Sequence, residues 1–174
     1  MTTKCASLAA LAALMCCTAS ANAASTVSRG DIGSRLLAMH NFERERMQAA
    51  PLQWDPQLAA AAASYGPHLA RIGRLQHSPR TNRPGQRENL WMGTRGAYSP
   101  EQMVGSWLEE KREFRPGVFP NVSRTGNWED VAHYTQLISR DTTRVGCAVH
   151  QTPQWDFLIC RYSPPGNIDG RMMP

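Results

Sequence analysis

Little in this chain is cysteine, lysine or uninterrupted apolar sequence. There are five cysteines in 174 residues, and three of them (Cys5, Cys16 and Cys17) fall in the first 17 positions. A dense disulfide scaffold is therefore excluded for the rest of the chain. Lysine occurs only at Lys4 and Lys111, so the cations are almost all arginines, the side chain suited to fixed planar contacts with carboxylate or phosphate. Beyond residue 17 no apolar run approaches the length needed to cross a bilayer, and no internal repeat is present. Charged residues make up 19% and hydrophobic ones 41%, which excludes a disordered or fibrous chain.

What is present begins with a leader. "MTTKCASLAALAALMCCTASANAAS" carries one cation, an apolar run from about Ala6 to Cys17, and the small-x-small sequence Ala21-Asn22-Ala23. The run is too short for a permanent membrane span, so residues 1–23 are expected to be a cleaved secretory signal. Met15 or Cys16 before a cysteine argues against a lipoprotein anchor. Residues 24–174 are then a single domain, exported to a periplasm or the extracellular space, with no transmembrane segment after cleavage and a monomer expected. Removing Lys4 lowers the formal net charge of +5 by one. The absence of any nucleic-acid-binding module in an exported chain argues against a nucleic-acid partner.

The mature region opens with a predicted helix from Asp31 to about Met47. Asp55 is placed to cap a second helix with Pro56 in its first turn, and Gly66-Pro67 is expected to kink or break that helix. Residues 77–86 are turn-rich, and "ENLWMG" predicts a short strand. In "SPEQMVGSWLEEKREF", Ser99, Pro100 and Gln102 predict a capped helix that sets Met103, Trp107 and Glu110 or Lys111 on one face.

Near the C-terminus, "RVGCAVHQ" and "WDFLICRY" flank Thr152-Pro153-Gln154, a turn sequence. If Thr152 opposes Trp155, the same antiparallel register sets Cys147 opposite Cys160. Both remain after leader cleavage, so a Cys147–Cys160 disulfide is expected, contributing about 3 kcal/mol in the chain-entropy model. Helices followed by a hairpin predict an α+β layered domain.

Ordered along the chain, "HNFER" (40–44), "PLQWDPQLA" (51–59), "HS" (77–78), "ENL" (88–90), "SWLEE" (106–110), "HYTQ" (133–136), "VGCA" (145–148) and "CRYSPPGNIDG" (160–170) resemble the superfamily of cysteine-rich secretory proteins, antigen 5 and pathogenesis-related protein 1 (CAP, or SCP-like). The resemblance implies a three-layer α-β-α sandwich with a central antiparallel sheet, and a short helix for "HYTQ". It also implies a cleft lined by His77, Glu88, Glu110 and His133, a set able to hold zinc or another divalent ion. None of these residues is spaced as a local metal motif. Tyr134 and Gln136 are expected to orient His133, with Ser78 beside His77. Arg87 replaces the family's usual glycine before the glutamate and is expected to neutralise Glu88 or gate anionic ligands.

Ser78 follows His77 directly, and adjacent residues rarely reach each other. No G-x-S-x-G elbow exists, so no serine nucleophile is assigned. The chain is read as a non-enzymatic binder of a lipid, glycan or peptide. The alternative is a metal-dependent hydrolase or peptidase using the same cleft. Arg71, Arg74, Arg80, Arg83 and Arg87 cluster with no acidic residue within 71–87, a segment suited to anions if it rims the cleft. Trp91, Trp128 and Trp155 are candidates for a groove.

Overall fold

The computed structural model describes Met1 and residues 31–174; the rest of the expected leader, with Cys5, Cys16 and Cys17, lies outside the described residues. The elements, in order, are α1 (Asp31–Arg46), β1 (Gln53–Trp54), α2 (Pro56–Ile72), β2 (Arg87–Thr94), α3 (Pro100–Glu109), β3 (Gly117–Val118), α4 (Ala132–Ile138), β4 (Arg144–Gln151), β5 (Trp155–Ser163) and β6 (Met172–Met173). Local chemistry sets several of the boundaries. The Asp55 side chain accepts from Gln57 N and Leu58 N at the start of α2, and Ser99 and Gln102 form a reciprocal capping box at the start of α3.

The main sheet has the order β1-β4-β5-β2. Its body is antiparallel, while the two-residue β1 adds a parallel edge against Arg144 and Val145. β3 and β6 form a separate small ribbon. Cys147 pairs with Cys160 in the β4–β5 register, and their sulfurs are bonded with Cα atoms 4.1 Å apart.

Side-chain alternation along β5 divides the core. Phe157 and Ile159 pack with Ala62 and Leu69 of α2, whereas Leu158, Cys160 and Tyr162 join residues of α1, α3 and α4. Helices therefore cover both faces of the sheet, which explains why "FLIC" reads as a continuous apolar run. This is the α-β-α sandwich expected from the sequence. α2 lies so close to β4 that a Cβ on Gly146 would stand 2.2 Å from the Ala59 nitrogen.

The break expected at Gly66-Pro67 does not occur: α2 continues through Pro67 to Ile72. Pro67 and Ala63, whose carbonyl loses its helical partner, are both exposed, so water can serve that oxygen. The buried Leu69, one half-turn later, holds the final turn against the sheet.

Candidate functional site

Two histidine–glutamate pairs approach one cavity from different layers. The first forms where the loop after α2 folds over the sheet edge at β2. His77 Nδ1 donates to Glu88 Oε1 at 3.0 Å, Ser78 N donates to the same oxygen at 3.0 Å, and Ser78 Oγ donates to Oε2 at 3.0 Å. Opposite Glu88 in the β2–β5 register is Arg161, whose Nη2 lies 3.3 Å from Glu88 Oε2. Both members are buried. Burial alone would raise the Glu88 carboxyl, but the hydrogen bonds from His77 and Ser78 outweigh it and hold it below the usual carboxylate range.

The second pair joins the turn that ends α3 to α4. Val131, at the N-cap position of α4, supplies no side-chain cap. Glu110 caps the helix instead from outside it: its Oε2 accepts from His133 N at 2.9 Å and from Tyr134 N at 3.0 Å. Its other oxygen accepts from His133 Nδ1 at 2.6 Å. Trp107, one turn before Glu110, stacks on the His133 ring with centroids 5.8 Å apart and an interplanar angle of 8°. Asn89 of β2 donates to the His133 carbonyl at 3.0 Å.

In both pairs the carboxylate can only accept, so Nδ1 carries the proton and Nε2 keeps its lone pair. His77, Glu88, His133, Asn89 and Gln136 line a cavity of about 820 Å³. Arg80, Arg83 and Arg87 form another part of its wall, and Phe119, Trp128 and Ile168 an apolar part. Glu110 stands behind His133 and is not among the lining residues.

Several expected roles fall to other residues. Tyr134 donates its hydroxyl to Glu43 at 2.8 Å. Gln136 links Thr142 and Gly166, pinning the chain after β5. His133 is oriented by Glu110 and Trp107 instead. Arg87 makes no ion pair with Glu88; the guanidinium that does so is Arg161, which sequence reasoning passed over inside an apolar run. Of the three tryptophans, Trp128 lines the cavity, Trp91 packs on Tyr98, and Trp155 sits at the hairpin turn.

A buried relay supports the site from beneath. His40 Nδ1 donates to Leu36 O at 2.7 Å, and Nε2 accepts from the Tyr162 hydroxyl at 2.8 Å. Asn89 donates to that hydroxyl at 3.3 Å. Burial brings the His40 pKa down to about 4, so the ring is neutral at pH 7. Arg44, fully buried, donates to the carbonyls of Ala50, Leu137, Ser139 and Thr142 and ties the end of α1 to the chain around α4.

Among the described residues no group of three or more histidine, cysteine or acidic side chains is disposed to hold a metal ion. The donors that remain are the two imidazole Nε2 atoms, because both carboxylates are engaged within the protein.

An α-β-α sandwich with two histidine–carboxylate pairs at a cleft defines the class of protein. The chain belongs to the CAP family: the model of the cysteine-rich secretory protein family matches residues 37–162. A pathogenesis-related protein of PR-1 type from Sambucus nigra is 33% identical over 134 residues, 76% of this chain and 75% of that protein. Pathogenesis-related protein 1C of Nicotiana tabacum is 35% identical over 137 residues, 78% of this chain and 76% of its own length. Among solved structures, NaASP2 with Zn2+ superposes with a TM-score of 0.68 at 24% identity, covering 83% of this chain and 85% of that one. Hookworm Platelet Inhibitor gives 0.64 at 17% identity, with 84% and 75% covered. At these identities the structural matches establish the fold.

Proposed function

We propose that this CAP-domain protein is exported and acts by binding rather than by turnover. Its cleft holds a divalent ion through His77 and His133 and admits a lipid, glycan or peptide ligand to the adjoining cavity. The observation that carries this reading is the pairing of each Nδ1 with a carboxylate, which fixes the ring and leaves Nε2 of both rings as a ligand. Zinc suits two imidazoles, with solvent or ligand oxygens completing its shell, and would supply a positive charge at the cleft. A relative in fold was solved with Zn2+, which supports the choice of metal to test first.

Binding is favoured over hydrolysis because neither carboxylate is free to act as a base. Glu88 accepts three hydrogen bonds and faces Arg161, and Glu110 also accepts three. Calorimetric titration of metal-free protein with zinc tests the reading. Affinity is expected to fall by about tenfold or more from pH 7.5 to pH 5.5, as protons compete with the metal for the imidazole nitrogens. The His77→Ala/His133→Ala variant should lose the site, and undiminished binding by that variant would refute it.

A further inference from the structure

Arg80, Arg83 and Arg87 are cations that line one cavity and are not matched there by ion pairs. None of the described ion pairs includes any of the three. Arg83 is buried, with 7% of its surface exposed, and spends Nε on Ser78 O and Nη1 on Gln86 O. Its Nη2 has no hydrogen-bond partner among the described residues. Arg87 is half-buried, and neither its guanidinium nor that of Arg80 has a hydrogen-bond partner among those residues. A guanidinium drawn partly out of water needs acceptors, and three brought together repel one another. Burial lowers the pKa values of Arg83 and Arg87; repulsion from Arg80 and Arg83 adds to it at Arg87, while at Arg83 attraction to Glu88 opposes it and repulsion from Arg161 and Arg80 adds to it. The acidic members of the cavity relieve this only in part, through the attraction of Glu88 for Arg83, and none forms an ion pair with the three. Glu88 is already matched by His77 and Arg161, while Glu129 and Asp169 stand beside Trp128 and Ile168 and pair with none of the three arginines.

We propose that this arginine wall receives the phosphate of an amphiphilic phosphate ester whose apolar portion lies against Phe119, Trp128 and Ile168. One bidentate arginine satisfies a carboxylate, whereas three guanidiniums around one cavity suit the larger charge and the several oxygens of a phosphate. Trp128, 38% exposed and edge-on to Phe119, offers an apolar surface within the same cavity. The ligand enters with its head toward residues 80–87 and its chain toward 119 and 128. This inference deepens the binding role proposed for the cleft and rests on it, but it does not require the metal.

The test uses the protein in EDTA, so that a failure of zinc binding does not affect it. Four probes are titrated below their aggregation limits: lauroyl lysophosphatidic acid, glycerol 3-phosphate, lauric acid and monolaurin. Lysophosphatidic acid is expected to bind at least about tenfold more tightly than any of the other three, and more weakly as salt is raised. The Arg80→Gln/Arg87→Gln variant should weaken it by about tenfold or more with no fall in melting temperature, since the removed charges repel. Equal affinity for lauric acid or monolaurin would overturn the phosphate assignment, and equal affinity for glycerol 3-phosphate would overturn the amphiphile. Unchanged binding by the double variant would remove the site. If zinc still binds through His77 and His133, that loss falls on this inference alone.

Discussion

Glu88 and Arg161 face each other across β2 and β5, nearly sealed from solvent, and the pair is held on the carboxylate side by His77 and Ser78. Removing one member would leave the other charge buried and uncompensated. Arg161→Met is therefore expected to destabilise the fold on the order of 3 kcal/mol, measured by urea unfolding at pH 7. No change would mean that the pair is solvated. His40 gives a second residue-scale prediction, in pH. Its folded pKa of about 4 lies below the ordinary 6.5, so the unfolded chain takes up the proton first on acidification. The stability of the neutral ring is complete above pH 6.5 and is lost as pH falls toward 4, by about 3 kcal/mol in all. Unfolding curves at pH 7, 5.5 and 4.5 should show that loss, and His40→Gln should flatten it. A wild-type curve level across the range would contradict it. Neither Arg161 nor His40 announced its role in the sequence. Arg161 sits within an apolar strand, and its partner is 73 positions away in a strand whose register no turn fixes.

Elements whose information is local were legible. The caps at Asp55 and Ser99 lie within three residues of the groups they satisfy. The β4–β5 register follows from a three-residue turn, which is why Cys147 and Cys160 could be paired from their numbers. Pro67 misled because helix breaking is a local penalty, and here the exposed face and the buried Leu69 outweigh it. The cap on α4 was not legible, since it comes from Glu110, 23 positions before His133. At this scale the contact between α2 and β4 is the most exacting. Gly146→Ala would drive a methyl group into α2 backbone rather than into a side chain that can yield. It is expected to cost about 1–3 kcal/mol, read as a lowered urea midpoint with unchanged m-value. A neutral substitution would show that the two elements separate freely.

At the scale of the whole molecule, three layers converge on one cavity. The loop after α2 brings His77, the sheet edge brings Glu88 and Asn89, and α3 with α4 brings Trp107, Glu110 and His133. Motif order identified these elements, and the family resemblance named the four His and Glu residues. It did not reveal that the set divides into two pairs, each carboxylate bonded to its imidazole and to backbone N–H groups, with both imidazoles at the cavity wall. That division depends on backbone N–H groups at Ser78, His133 and Tyr134, which no side-chain pattern reports.

The most direct test is long-range 15N–1H NMR of the two imidazoles, before and during zinc addition. Both His77 and His133 are expected to show the Nδ1–H tautomer in metal-free protein at pH 7.5, and both Nε2 signals should shift together at one zinc per chain. An Nε2–H tautomer at either ring, or a zinc response confined to one of them, would contradict the shared cleft.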